Sequence, residues 1–494
     1  MKPVLTSEQM RQTEKRFFSM GENSIDLMEK AARELVRDIW DAMPEGGKTC
    51  VFACGAGGNG GDGYAAARLF AQAGGRAVIL QLASPTHPDA LVNCEKAQKK
   101  VYAVIGPDAL DTLPRPDVWA DCILGIGLSR PVEGDIEKLI ARMNADRELG
   151  SKTVSCDIPS GLSADSGEVM GICVNADVTT ALSCYKRGHF LGRGMDHCGE
   201  VKLHDLGIPA SCLPEQYMEL IEDADITLPA RPRTAHKNTF GHLLVFAGSR
   251  GMAGAAVMTA KAALRTGAGL VTVACPESLT DIIQISVPCA LCLPLPEKDG
   301  AVGDEAADIL KDALNGKTAV AMGPGLGRKA SVKCIELLLN SNLPAVIDAD
   351  ALNIMSEHPE LKDLLSTRHA LTPHPGEAKR LTGADADSVS YAKELSAGGC
   401  AALVKGAASV ISGKHLRVSI SGCTGMAKGG SGDALTGMTG ALLAQGLSPE
   451  AALMTASQLH GRAGEIAEKK FGGMSMLPTD LIEMIGEAIP HEDA

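Results

Sequence analysis

Two hydrophobic rhythms alternate along the chain. Apolar runs too short for a helix, TCVFACG (49–55), RAVILQLA (76–83), DVWADCILG (117–125) and KTVSCDIPSG (152–161), read as buried strands, most with polar or glycine residues at the C-terminal end. Between the first two, DGYAAARLFAQAGG (62–75) reads as a helix stopped by glycine. Earlier, IDLMEKAARELVRDIW (25–40) sets Met28, Ala32, Leu35 and Ile39 on one face with Ser24 as its expected cap, and Thr6 and Gln9 have the spacing of a capping box. The rhythm breaks at EDADITLPARPRTAHKN (222–238), where Pro229, Pro232 and mixed charge mark a linker. It resumes with HLLVFAGS (242–249), AGAAVMTAKAALRTGAG (253–269) and LVTVAC (270–275), then AVAMGPGLG, PAVIDADALN, HALTPHPGE and ALVKGAASVISG. No fixed-period repeat appears. The pattern predicts two α/β domains in tandem, residues 1–222 and 223–494, the first a Rossmann-like three-layer α/β/α unit. Ligands are expected at the C-terminal ends of the strands.

Composition narrows the choice. Apolar residues make up 45% of the 494, aromatics only 3%, and there are 55 glycines, which suits many tight strand-to-helix turns. A formal net charge of −13 argues against nucleic acid or an anionic membrane as partner, while small anions can still be held by local amides and lysines. The opening MKPVLTSEQMRQTEKRFF has no apolar core and no run nears 18 apolar residues, so the expected location is the cytoplasm and no membrane partner is expected. Fifteen cysteines without a disulfide framework are expected to be reduced. The C-x-x-C pair Cys289 and Cys292 lies in an apolar run, VPCALCLPL, and reads as part of a buried strand.

GAGGNGGDG (55–63) follows a strand and opens a helix, and Gly55, Gly57 and Gly60 satisfy G-x-G-x-x-G. A nicotinamide dehydrogenase would carry an acid at the end of the next strand to hold the ribose; this chain has Gln81 there. Asn59, Asp62, Asp121, Asp157 and Ser160 instead offer oxygen donors at several strand ends, a set suited to a hard cation beside a phosphate-bearing ligand. GAGGNGGDG, DCILGIGLSRP, VSCDIPSGLSADSG and TALSCYKRG, in this order across residues 1 to about 220, resemble the motifs of the NAD(P)H-hydrate epimerases. The resemblance implies potassium held by Asn59, Asp121 and Ser160. It also implies substrate contacts from Gly58, Asn59, Gly60, Gly61 and Asp62, from Gly125, Ile126, Gly127, Leu128, Ser129, Arg130 and Pro131, and from Asp157. Asp157 and Lys186 are the pair expected to move the proton. Gly58 departs from the family, where asparagine is usual.

In GMAKGGSGDALTGM (425–438), glycines 429, 430 and 432 let backbone amides approach an anion without a Cβ in the way, and the following helix adds its positive end. A carboxylate there, Asp433, is unfavourable beside phosphate unless it has a task such as accepting a proton from a hydroxyl that attacks phosphorus. GPGLG (323–327) is a second bare turn, TPHPGE adds His374 and Glu377, and Lys405 to Ser409 follow another strand. Asp348 and Asp350 are candidates to serve a hydrated magnesium ion.

Residues from about 223 to the end resemble the ADP-dependent NAD(P)H-hydrate dehydratases, a branch of the ribokinase-like superfamily, through HKNTFGHLLVFAGSRGMAGAA, GPGLG, VIDADALN, LTPHPGEAKRL, LVKGAASVISG and GMAKGGSGDALTGMTGALLAQG. The resemblance implies a ribokinase-like α/β/α fold and ADP as co-substrate. The nucleotide would be held by Lys405, Gly406, Ala407, Ala408 and Ser409 and by Lys428, Gly429, Gly430, Ser431 and Gly432; Ala255, Gly325, His374, Pro375, Gly376 and Glu377 would surround the hydrated nicotinamide. Lys428 stands where threonine is commoner. The expected function is repair of NAD(P)H hydrate, with epimerisation in the first domain and dehydration of the S form in the second, in a homo-oligomer. The rival is an ATP-dependent kinase of a small hydroxylated metabolite; a non-catalytic nucleotide-binding protein is a third reading.

Overall fold

The computed structural model describes residues 1–490 and divides at residue 218 into two compact units. In the first, seven strands form an all-parallel sheet in the order Ala103–Ile105, Arg76–Gln81, Thr49–Cys54, Val118–Cys122, Lys152–Cys156, Val178–Leu182 and Glu200–His204. The strand Thr49–Cys54 shows why both faces must be covered. Cys50, Phe52 and Cys54 enter one apolar cluster, and Val51 and Ala53 enter another on the opposite face. The chain runs outward from Thr49–Cys54 on one side and returns to Val118–Cys122 on the other. A crevice therefore opens where these two strands diverge, at their C-terminal ends.

The second unit repeats the device. Seven parallel strands, Leu291–Leu295, Leu270–Pro276, His242–Phe246, Ala319–Met322, Ala345–Ile347, His369–Leu371 and Ala401–Val404, are followed by the antiparallel strands Ser409–Ser412 and Leu416–Ser419. Leu243 and Val245 bury on one face, Leu244 and Phe246 on the other. The switch point falls between His242–Phe246 and Ala319–Met322. No helix among the described residues is long and apolar enough to cross a membrane.

Several local expectations need correction. Helix Ser24–Ala42 has Asn23 at its cap position without a side-chain capping bond, so Ser24 is the first helical residue; the capping box of Thr6 and Gln9 is formed as expected. A strand, Lys2–Leu5, precedes the first helix and pairs with Tyr185–Lys186. The helix expected to begin near Asp62 begins at Gly58, so most of the glycine-rich stretch is helical. Cys289 is exposed and Cys292 half-buried on an edge strand, not in a buried one. The thiol nearest Cys292 is Cys275, at 3.8 Å.

Candidate active sites

The crevice of the first unit is a cavity of about 690 Å³, within the usual range for small-molecule sites. Gly58, Asn59, Asp62, residues 125–130, Asp157 and Lys186 line it. Gly60 and Gly61, expected as substrate contacts, instead face protein. A Cβ on Gly60 would strike the Gly55 carbonyl, and one on Gly61 would lie 2.6 Å from the Met28 methyl, so these glycines allow the helix to pack closely. Pro131 is exposed and outside the lining. At Gly58 an added Cβ meets nothing within 4 Å, so sterics do not explain the missing asparagine.

Leu124 brings the three expected cation ligands together. Its amide donates to Ser160 Oγ at 2.8 Å, and its carbonyl accepts from Asn59 Nδ2 at 3.1 Å. Asp121 is fully buried and accepts from the Ser160 amide (2.8 Å), Ser160 Oγ (2.5 Å), Ser155 Oγ (2.9 Å) and the Ile123 amide (3.3 Å). Burial still pushes its carboxyl above the usual range, against the pull of these bonds.

Asp157 and Lys186 meet in an ion pair with the lysine 1% exposed. Asp157 has φ +64° and Ser183 φ +62°, left-handed conformations rarely taken by these residue types and costly unless the surroundings hold them. His189 provides part of that hold. Its Nδ1 accepts from the Lys186 amide at 3.2 Å, which leaves Nε2 to donate to the Asp157 carbonyl at 2.7 Å. Burial, helped by the Lys186 charge, pulls the His189 pKa down to about 4, in keeping with a neutral ring. Sequence reasoning missed His189 and also Glu14, which comes from the helix Ser7–Ser19 to line the same cavity. Burial pushes the Glu14 carboxyl up, opposed by Lys186.

In the second unit the strand ends converge on the GGSG turn. Helix Ser431–Ala444 starts after Gly430, whose φ of +108° suits glycine, and its first turn leaves amides open to an anion. Asp433 is the third residue of this helix, not its cap. Lys405 Nζ donates to Asp348 Oδ1 at 2.7 Å and lies 3.9 Å from Glu377, while Thr436 Oγ1 donates to Asp348 Oδ2 at 2.6 Å. A Cβ on Gly432 would lie 3.3 Å from Lys405 Nζ and 3.7 Å from Asp348 Oδ2, so the bare turn sits directly over this buried charge pair. Burial, then the Asp348 charge, raises the Asp433 pKa to about 7; Lys405 opposes, and Asp350 adds a smaller push.

The remaining expected residues fall around this centre. A Cβ on Gly325 would meet Ala255 Cβ at 2.9 Å, which places those two side by side. His374 caps the helix Pro375–Thr382, with Nδ1 accepting from the Gly376 amide, and Glu377 accepts from the His374 amide. Lys405 to Ser409 form the turn between two strands, with Gly406 and Ala407 exposed. The Lys428 ammonium points elsewhere, to the carbonyls of Met474 (2.7 Å) and Met476 (2.5 Å). Of the two acids expected to serve a hydrated magnesium ion, Asp348 spends one acceptor site of each oxygen on Lys405 and Thr436, and Asp350 Oδ2 accepts from the Gly327 amide. Among the described residues no group of three or more His, Cys, Asp or Glu side chains is placed to hold a metal ion.

Residues 24–188 match the family model described as YjeF-related protein N-terminus, and residues 243–487 the one described as NAD(P)H-hydrate dehydratase, one in each unit. The bifunctional NAD(P)H-hydrate repair enzyme Nnr of Coxiella burnetii is 34% identical over 97% of this chain and 98% of that protein. The chain belongs to the bifunctional NAD(P)H-hydrate repair enzyme family. Another relative in this repair enzyme family, from Moorella thermoacetica, is 35% identical over 94% of this chain and 92% of its own. Among solved structures, the ADP/ATP-dependent NAD(P)H-hydrate dehydratase from Bacillus subtilis, co-crystallised with ATP and magnesium, is 28% identical over 53% of this chain and 93% of that one, with a TM-score of 0.44.

Proposed function

We propose that this chain returns hydrated NADH and NADPH to the intact cofactors in two steps. The cavity of the first unit interconverts the R and S epimers at the hydrated ring carbon. The second unit then dehydrates the S epimer at the expense of ADP. One observation carries the chemistry of the second step: a carboxyl with a pKa of about 7 stands in the first turn of a helix, behind a glycine turn built for phosphate. Asp433 takes the proton of the substrate hydroxyl as that oxygen attacks the β-phosphorus of ADP, and AMP leaves. Loss of the new phosphate, with a proton from the neighbouring ring carbon, restores the double bond. Lys405, fixed by Asp348, supplies positive charge beneath the turn.

For the first site, the oxygen of the Asn59 amide and the Ser160 hydroxyl would face a large monovalent cation, with Asp121, whose oxygens already accept four bonds, holding Ser160 in place from behind; potassium held there would supply fixed positive charge near an anionic ligand. Magnesium is expected to arrive on the phosphates of the nucleotide. Incubation of the purified chain with (S)-NADH hydrate, magnesium and ADP tests this reading. The expected result is return of NADH absorbance with one AMP and one phosphate per turnover. A stable phosphorylated product with no NADH would replace the reading with a metabolite kinase.

A further inference from the structure

Inverting the hydrated carbon in the first site needs a proton donor and a proton acceptor at the same moment, and the cavity allows the two to be told apart. An ammonium has three hydrogens to donate. Lys186 Nζ donates to Asp157, to the Leu182 carbonyl at 3.0 Å and to the Cys184 carbonyl at 3.1 Å, so its hydrogens are all committed inside the protein. A proton lost from this lysine would leave two buried carbonyls and a carboxylate competing for the two that remain. Asp157 uses Oδ1 for both the lysine and the Leu182 amide, and its second oxygen takes no part in these bonds.

Asp62 has a different setting. It lies in the helix Gly58–Gln72 and lines the same cavity, and the contact its carboxyl makes is with the Cys156 thiol, 4.0 Å away, next in sequence to Asp157. A thiol is a weak donor and does little to stabilise a carboxylate. On the proposed epimerase reading, we infer that Asp62 is the proton donor of epimerisation, opposite Asp157 as acceptor, and that Lys186 positions the acceptor without carrying the proton. The groups facing Asp62 agree. Glu14 on the first helix and Asp157 on the strand end add like charge, Lys186 alone opposes them, and the thiols of Cys122 and Cys156 are neutral neighbours. Burial, then these charges, pushes the Asp62 carboxyl well above its usual range.

The step balances within the site. Asp157 takes the hydroxyl proton as the carbon–oxygen bond becomes a carbonyl; the bond from that carbon to the ring nitrogen breaks, and Asp62 gives its proton to the nitrogen. Rotation of the open amino-aldehyde and attack of the nitrogen on the other face reverse both transfers. Asp62 recovers its proton, Asp157 returns its own to the oxygen, and no solvent or further reagent is needed.

The test uses the full chain without ADP, starting from (S)-NADH hydrate and separating the two epimers by chromatography, with the uncatalysed exchange subtracted. Wild-type exchange is expected to fall at high pH as the donor loses its proton. Asp62→Asn is expected to lower exchange at neutral pH by about 100-fold or more and to abolish that alkaline fall. Asp62→Ser removes the same proton with a smaller side chain and should match, and an unchanged Tm would show that the fold is intact. Exchange within threefold of wild type with the alkaline fall retained overturns the assignment, as does transfer of the whole effect to Glu14→Gln. No exchange by the wild type itself would instead count against the epimerase reading.

Discussion

Each unit places glycines and a single acid where a strand gives way to a helix, and the two acids keep the same kind of company in different backbone settings. Asp62 lies inside its helix, against a thiol, with Asp157 and Glu14 adding like charge and one lysine tied to Asp157. Asp433 lies in the first turn of its helix, over a lysine paired with Asp348, whose like charge, after burial, pushes Asp433 up as that of Asp157 pushes Asp62. The glycines differ as well. In the first unit Gly60 and Gly63 let the helix press on the Gly55 carbonyl and on Cys54 and Cys122; in the second, Gly432 keeps clear the space above Lys405. The same backbone device therefore supports proton exchange in one unit and phosphate chemistry in the other, and the difference lies in whether the glycines press the helix against protein or leave its first amides open to an anion.

The largest effect that would sharpen this contrast is expected from Asp433→Asn. ADP-dependent return of NADH should fall by about 10³-fold, within the range for removal of a general base, while epimer exchange stays within twofold. Full dehydratase turnover in that variant would remove Asp433 from the chemistry. Next comes pH. Since the base acts only when unprotonated, kcat/KM for dehydration should fall about tenfold per unit below pH 7, the value to which Asp433 is raised. Asp348→Asn takes away the like charge beside it, so the midpoint of that fall should move down by about one unit, with turnover lower because Lys405 loses its anchor. A midpoint that stays in place would separate Asp348 from Asp433. The smallest effect belongs to Lys428→Ala, which gives up two charge-assisted bonds. Thermal melting should show a loss of about 1.5–3 kcal/mol, with dehydration within threefold, since the Lys428 ammonium is turned to Met474 and Met476.

Much of this was legible from the residues in order. Short, nearly continuous apolar runs marked the sheet strands, and each motif marked a strand end, so Asp157, Lys405 and Asp433 could be named before any geometry. What could not be read belongs to contacts between distant segments. Glu14 lies 48 residues from Asp62 and on a helix whose pattern shows only amphipathicity. The role of His189 depends on two backbone groups and a left-handed Asp157, which no spacing announces. Gly60 and Gly61 look like loop residues because glycine signals turns; here they serve helix packing. Asp348 was legible as an acid at a strand end, but its bonds to Lys405 and Thr436, one on each oxygen, come from side chains 57 and 88 positions away.

The claim that one chain joins two separable activities is tested most directly by mixing the purified protein with both epimers of NADH hydrate, potassium, magnesium and excess ADP, and following NADH to completion. The wild type should restore all of it, and Asp157→Ala should stop its fast phase at the fraction that began as S. Complete fast return by Asp157→Ala, or a wild type that also halts at the S fraction, would contradict the account.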